Sequence, residues 1–211
     1  MSVLRSVLRA TVAASALAGG LVSLTACDTP QAVEPRAIRT ADDLVRTLES
    51  GRSQIDVVIE SLQNLRFGPA DQRTANFRTF SSNLTQLDVL ASSAGAEGRR
   101  MRQLGMDYFN AWTGVAARGT PDERRETAPR IQMADQRYQN ILDFMTQLRW
   151  SFADLESDLM QIERSLPGNL TDQGLQAIDP IMSGLGLKAA NTRNLIDRLV
   201  EQINAVTSAR R

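Results

Sequence analysis

Histidine is absent from the 211 residues, and cysteine occurs only once, at Cys27. Without histidine the chain cannot form a Ser-His-Asp or Cys-His nucleophile system, the usual zinc sites, or the Glu-x-x-His di-iron site of helical bundles. A single cysteine cannot form a disulfide within the chain. The composition therefore predicts a protein that is not an enzyme and that holds no cofactor or metal ion.

Lysine is almost missing as well, since Lys188 is the only lysine among the 24 basic residues. A genome rich in G and C would produce this preference for arginine without a functional cause. The 24 acidic residues balance the basic ones, whereas a nucleic-acid-binding protein usually has a basic face. We therefore expect no nucleic-acid partner.

The N-terminus has only a short apolar run. Arg5 and Arg9 precede a stretch of small apolar residues, which is typical of a secretory signal and is shorter than the roughly 20 residues that a spanning helix needs. The stretch ends in Leu24-Thr25-Ala26-Cys27, which resembles the lipobox of bacterial lipoproteins. The resemblance implies that residues 1–26 are a signal peptide and that Cys27 carries a diacylglycerol. The alternative is an ordinary signal peptide, or an anchor helix, with an incidental cysteine.

The residues after the cysteine bear on the location of the mature protein. Asp28 is similar to the signal that retains enterobacterial lipoproteins on the inner membrane, so the sequence favours that membrane, with the outer membrane as the alternative. Residues 27–39 contain Pro30 and Pro35 and have no apolar periodicity, which predicts a lipidated tether. We expect a periplasm-facing protein of the cell envelope whose membrane contact is the lipid on Cys27.

Beyond the tether the apolar residues follow one rule, alternating steps of three and four, which is the heptad a/d pattern of packed helices. Short connections between the helices favour antiparallel neighbours. We therefore predict an all-α fold, an elongated antiparallel three- or four-helix bundle with coiled-coil-like heptad packing. The predicted domain spans residues 40–211, with helices at about 41–66, 70–118, 121–166 and 171–208.

Three segments leave the helix boundaries open. Pro129 interrupts the third helix, so that residues 121–128 are expected to form a short separate turn. Pro180 is expected to kink the last helix without ending it, because the heptad phase continues past it. The glycine-containing segment 91–98 either breaks the second helix or allows a neighbour to pack closely, and the preserved phase favours a continuous helix.

Charged and aromatic residues supply the candidate sites. Trp150 falls at heptad position f, furthest from the seam, where it either marks a partner surface or is covered by a fourth helix. Tyr108 and Trp112 lie on the seam and are expected in the core. An acidic row on the third helix is interpreted as a solvated face rather than an acid/base pair. An arginine cluster at the second connection is interpreted as mixed ion pairs, with a phosphate or lipid-headgroup site as the alternative. The acidic row is Asp154, Glu156, Asp158 and Glu163, and the arginines are Arg124, Arg125, Arg130 and Arg137.

The region from Tyr108 to Pro180 also resembles a family of bacterial proteins, the domain of unknown function 2959. The resemblance covers about a third of the chain and implies helical architecture and envelope association, with no activity and no binding residues to carry over. It depends on Tyr108 with Trp112, the arginine-rich turn near Arg124, Tyr138-Gln139-Asn140-Ile141, Leu155, and Asn169-Leu170-Thr171.

Three functions fit these patterns. The first is a non-enzymatic helical scaffold or adaptor that is tethered through Cys27 and offers helix faces to envelope proteins. The alternative is a lipid- or small-molecule-binding bundle in the periplasm, which a dry apolar cavity near the Gly/Ala-rich seam would favour. The third, an enzyme using only carboxylates and arginines, requires a buried acidic pair facing one cleft, and no heptad position holds such a pair. Oligomerisation stays open, since Leu142, Phe144 and Met160 could cover another helix or another chain.

Overall fold

The computed structural model describes residues 34–208, and all the structural statements below concern that part of the chain. Its regular structure is helical, with no strand among the described residues, so the predicted all-α bundle is confirmed. Cys27, Asp28 and the rest of the segment before residue 34 lie outside the described residues. The helices are α1 Glu34–Phe67, α2 Arg73–Arg118, α3 Pro121–Ser165, α4 Asp172–Ala177 and α5 Asp179–Ser208, with a 3-10 turn at Ala70–Gln72.

The four long helices form an antiparallel ring in which α1 packs on α2 and α5, and α3 packs on α2 and α5. The amide Nε2 of Gln54 donates to the Asn83 carbonyl at 2.9 Å across α1 and α2. Between α3 and α5 the hydroxyls of Ser151 and Thr192 lie 2.8 Å apart. These polar contacts fix the register of each antiparallel pair.

The core follows the heptad pattern and lies where all four helices overlap. Phe80 and Leu159 are at most 1% exposed, which is typical of the side chains that dominate the stability of a helical bundle. Burying one such leucine stabilises the folded state by roughly 1.5–3 kcal/mol. The other large side chains that are fully enclosed are Leu44, Ile55, Leu62, Leu65, Leu87, Leu155, Ile162, Leu166, Leu175 and Ile178.

Helices α2 and α3 are much longer than their neighbours, at 46 and 45 residues against 34 in α1 and 30 in α5. Both continue as a two-helix hairpin past the level at which α1 begins and α5 ends. No described residue between Met101 and Ile141 is buried, because only two helices remain there. We call residues 106–136 the arm.

The arm turns at Gly119–Thr120, where a capping box starts α3. The backbone N–H of Glu123 donates to the Thr120 hydroxyl at 3.3 Å, and the Thr120 N–H donates to the Glu123 carboxylate at 2.7 Å. The backbone hydrogen bond from Thr120 lowers the pKa of Glu123. These bonds satisfy amide groups that a helix N-terminus otherwise leaves without partners.

Helix α2 is continuous through the segment 91–98, the alternative that the preserved heptad phase favoured. Gly98 and Gly105 of α2 leave room for side chains of α3 to pack against the α2 backbone. A Cβ added at Gly98 would overlap the Met145 methyl group, and one added at Gly105 would overlap the ring of Tyr138. The missing side chains therefore explain how α2 and α3 approach each other so closely.

Three helix boundaries differ from the prediction. Helix α1 begins at Glu34, so residues 34–39 are not part of a tether; proline is tolerated in a first helical turn, where its missing N–H costs no hydrogen bond. Helix α3 runs through Pro129 without interruption. The last predicted helix is divided at Ile178 into α4 and α5, because Pro180 cannot donate a backbone hydrogen bond to the preceding turn.

Candidate functional site

An apolar cavity of about 330 Å³ lies at the base of the arm. All four long helices line it: the first turns of α1, the last turn of α5, and the points where α2 and α3 leave the bundle. It exists because the ring loses two of its four helices here while α2 and α3 continue. Its aliphatic lining includes Ile38, Ala41, Met101, Leu104, Ala134, Ile141, Ile203 and Val206.

An aromatic cluster forms the arm side of this cavity. The rings of Phe109 and Tyr138 have centroids 5.4 Å apart, and Tyr108 lies 5.6 Å from both Phe109 and Trp112. The Tyr138 hydroxyl donates to the Arg102 carbonyl at 2.7 Å, and burial raises the pKa of that phenol. Tyr108 and Trp112, which the heptad placed in the core, remain partly exposed because no third helix covers the arm.

Two arginines of the predicted cluster line the cavity, and the other two do not. Arg130 donates to the Glu126 carboxylate at 3.3 Å, whereas Arg137 is exposed and no ion pair joins it to a described carboxylate. Away from the cavity, Arg125 pairs with Asp122 at 3.4 Å. The mixed ion pairs expected from the sequence are thus present near the turn, while Arg137 stands apart from them.

The heptad could have separated Arg130 and Arg137 from the other two arginines of the cluster. Arg130 and Arg137 are seven residues apart, so both occupy the same face of α3, with Ala134 between them. Position alone could not have shown that this face borders a cavity. That depends on where α1 begins and α5 ends.

The acidic row of α3 divides between two interfaces. Asp154 and Asp158 accept hydrogen bonds from the Lys188 ammonium at 3.0 and 2.7 Å. The bond to Asp158, and after it the bond to Asp154, raises the pKa of Lys188. Glu156 faces α2 instead. Partial burial is the main cause that raises the pKa of Glu156, and the neighbouring Asp88 of α2 raises it further. Asp88 is exposed and neither carboxylate lines the cavity, so this carboxyl pair does not form the enclosed cleft that acid/base chemistry needs.

The remaining candidates lie away from the cavity. Trp150 is 71% exposed on α3, so no helix of the described chain covers it, and its contact with a partner stays a prediction. A smaller cavity of about 150 Å³ between α1 and α5 has no charged side chain in its wall. Within residues 34–208 no group of three or more acidic residues is placed to hold a metal ion.

None of the helices from α1 to α5 is both long and apolar enough to cross a membrane. Comparison with known proteins found no match: no protein-family model, no curated protein and no solved structure matches this chain. The lipobox and the resemblance to the domain of unknown function 2959 therefore stay predictions.

Proposed function

We propose that this protein is a membrane-anchored, non-enzymatic scaffold of the bacterial cell envelope, and that the arm is the element that contacts other envelope components. One observation carries the proposal. Residues 106–136 extend beyond the four-helix body as a hairpin with no buried side chain. A hairpin that adds nothing to the core yet presents partly exposed aromatic and aliphatic residues is suited to contact another molecule.

The direction of the arm indicates where its partner lies. Ala37, near the start of α1, shares the cavity with Gly105, so the arm extends past the same end of the body at which the segment to Cys27 begins. From Gly105 to Gly119 it measures about 20 Å at 1.5 Å per residue. The seven residue steps from Cys27 to Glu34 span at most about 25 Å. An arm of that length, on a protein tethered so closely, reaches the region of the membrane surface.

Charge at the base of the arm favours an acidic partner surface there. Residues 106–136 carry four arginines against five acidic residues, whereas the flanking segments 99–105 and 137–140 at the base of the arm carry four arginines and no acidic residue. The rest of the described chain, residues 34–98 and 141–208, carries twelve basic and eighteen acidic residues. Opposite charge at an interface steers association and selects partners. The expected partner is therefore an envelope protein with an acidic, partly apolar helix face close to the membrane.

Photo-crosslinking in intact cells tests the scaffold proposal. A benzoylphenylalanine at position 117, exposed on the arm, should give a discrete adduct with one envelope protein. The same residue at position 153, exposed on the four-helix body, should not. Both positions hold alanine on a long helix, so reactivity and exposure are matched.

The anchor is tested in the same cells. In the Cys27→Ser form the adduct from position 117 should fall, because the arm is no longer held near its partner. Equal adducts from positions 117 and 153, or none from either, would contradict the scaffold function. An adduct that persists unchanged in the Cys27→Ser form would contradict anchoring at Cys27.

The cavity supports a second candidate, the binding of an apolar ligand between the helices. Its volume lies at the lower end of the roughly 300–1,000 Å³ found for small-molecule sites, and its walls are largely aliphatic and aromatic. Lipid extraction of the purified full chain should yield a co-purifying apolar molecule. That molecule should be lost in Ala134→Phe, which fills the cavity, and retained in Ala153→Phe on the exposed face of the same helix.

A further inference from the structure

We infer that the cavity at the base of the arm binds a free fatty acid, with the alkyl chain between the helices and the carboxylate at Arg137. The inference rests on the second proposed function, apolar ligand binding, and adds the chemical class of the ligand. The cavity lies at the base of the arm, whereas position 117, the crosslinking site of the proposed scaffold function, lies close to the turn at Gly119–Thr120.

The walls select an unbranched apolar chain. The cavity runs between α1, α2, α3 and α5, and its inner part meets Met101, Ile141 and Ile203, none of which carries a charge. Methionine and aliphatic side chains adapt to a flexible chain without requiring a directed hydrogen bond. The half-buried ring of Tyr138 is held by its hydrogen bond to the Arg102 carbonyl, so that it forms a fixed wall.

The mouth selects a negative headgroup. Arg137 lines the cavity yet is exposed, and no ion pair joins it to a described carboxylate, so its guanidinium is available to the ligand. Arg130, one heptad earlier, is paired with Glu126 at 3.3 Å, so Arg137 is the arginine of this face that is left for the ligand. A planar guanidinium binds a carboxylate through two parallel N–H···O bonds, which a neutral headgroup cannot match.

Two acidic residues of the arm, Asp135 and Asp107, form no ion pair with Arg137 and hydrogen-bond to amide groups instead. Asp135 lies beside Arg137 in the sequence, but it accepts a hydrogen bond from the Gln139 amide at 3.3 Å. Asp107 is engaged in the same way by Gln103 at 3.0 Å on α2. Both carboxylates keep their negative charge, so the preference for an anionic ligand comes from the guanidinium of Arg137, which is unpaired among the described residues at the cavity edge, and not from the net charge of that edge.

Photo-labelling of isolated membranes that contain the full chain tests the ligand class. The probes are a diazirine-bearing C12 fatty acid and the fatty alcohol of the same length. We expect the acid to label peptides from the cavity, those containing Met101 to Phe109 and Ala134 to Ile141. The alcohol should label them about tenfold less, because it cannot form the charge-assisted pair.

Variants separate the headgroup from the chain. Arg137→Gln should reduce labelling by the acid about tenfold and leave labelling by the alcohol unchanged. Arg149→Gln, an exposed arginine of α3 away from the cavity, should change neither. Pulse proteolysis of each variant in the same membranes establishes that the bundle remains folded.

The outcomes distinguish the ligand class from ligand binding in general. Equal labelling of the cavity by acid and alcohol would overturn the fatty-acid inference and leave apolar binding intact. Absence of cavity labelling by both probes would overturn both, as would labelling spread along the arm without regard to Arg137. If acyl chains on Cys27 fill the cavity, the wild-type cavity is unlabelled and the Cys27→Ser form is labelled, which would also overturn the free-ligand inference.

Discussion

At the scale of single residues, two glycines of the same helical bundle have opposite roles. Gly105 is the point where the Tyr138 ring packs against α2, and the ring cannot easily withdraw because its hydroxyl is bonded to Arg102. Gly51 on α1 has open space where a side chain would stand. The first glycine makes room for packing, whereas the second only weakens its helix.

Alanine substitutions should separate these roles. Gly51→Ala should raise the free energy of unfolding by about 0.5–1 kcal/mol, the usual gain over glycine inside a helix. Gly105→Ala should instead lower it by about 1–3 kcal/mol, because the added methyl group overlaps a fixed ring. Urea unfolding followed by circular dichroism measures both. Stabilisation by Gly105→Ala would show that the Tyr138 ring moves freely.

A second residue-scale prediction concerns the carboxyl pair of Glu156 and Asp88. Burial, then Asp88, raises the pKa of Glu156 above its ordinary value of 4.5. Its contribution to stability is therefore fully present below pH 4.5 and is lost as the pH rises through the raised pKa. At pH 7 the ionised Glu156 destabilises the fold, so Glu156→Gln should stabilise it, by less than about 1 kcal/mol because solvent screens the pair.

The same unfolding measurement at two pH values checks this sign. The difference between Glu156→Gln and the wild type should be visible at pH 7 and should shrink below pH 4.5. Glu60→Gln, an exposed glutamate on α1 for which no ion pair is found among the described residues, is the control and should show no such dependence. A gain that is constant with pH would exclude the electrostatic cause.

The heptad predicted the buried residues well and the exposed ones poorly. Leu155, Leu159 and Ile162 follow the alternating steps of four and three on α3, and they are at most 1% exposed. Trp112, which was expected in the core from its seam position on α2, is partly exposed. The pattern of one helix shows which face is apolar, but it cannot show how many other helices cover that face. Burial at a seam position therefore depends on the lengths of α1 and α5.

At the scale of elements, the prolines show why boundaries were less predictable than helices. Pro129 lies in the exposed arm and is accommodated within α3, whereas Pro180 coincides with the division between α4 and α5. Both residues remove the same backbone donor. The Ile178 carbonyl accepts hydrogen bonds from the backbone N–H groups of Ile181 and Met182, both at 3.0 Å. A new helix therefore begins here, where the sequence predicted a kink within one helix.

The capping box at the turn of the arm allows a local prediction. Thr120→Ala removes the hydroxyl that accepts the Glu123 N–H, so the first turn of α3 should lose about 0.5–2 kcal/mol of local stability. Hydrogen exchange should become faster at residues 121–126 while the body of the bundle keeps its protection, because no buried residue links the two.

The pH dependence of that exchange gives a further check. The bond from Thr120 lowers the pKa of Glu123 below its ordinary value of 4.5, so the contribution of Glu123 is present above pH 4.5 and is lost as the pH falls through the lowered value. Wild-type protection at residues 121–126 should decrease over that acidic range. Protection that is independent of pH would contradict a role for the carboxylate. Equal acceleration in the arm and the body after Thr120→Ala would show that the cap supports the whole fold.

At the scale of the whole molecule, the unequal helix lengths create both candidate sites. The lengths of α2 and α3 were close to those predicted from the sequence, but the offset that produces the arm and its cavity was not foreseen. That offset follows from the register between the helices. Gly105 of α2 opposes Tyr138 of α3 at the level where α1 begins and α5 ends. Register between helices depends on side-chain contacts that one helix pattern does not contain.

Removal of the arm tests whether the body is an independent folding unit. Excision of residues 109–134, with a four-residue glycine linker joining Tyr108 to Asp135, removes no buried residue. Neighbouring antiparallel helices lie about 10 Å apart, which such a linker spans. The shortened protein should therefore keep a cooperative thermal transition with a midpoint within about 5 °C of the wild type.

A matched substitution in the body sets the scale for that result. Leu159→Ala, at a position that is 1% exposed, should cost about 2–5 kcal/mol and lower the midpoint by roughly 4–20 °C. If excision of the arm lowers the midpoint as far as Leu159→Ala does, the arm supports the fold. The two helical segments of the arm together add about 45 Å of helix at 1.5 Å per residue. If the midpoint is preserved after excision, this additional helix does not stabilise the fold, and contact with other molecules is left as its role.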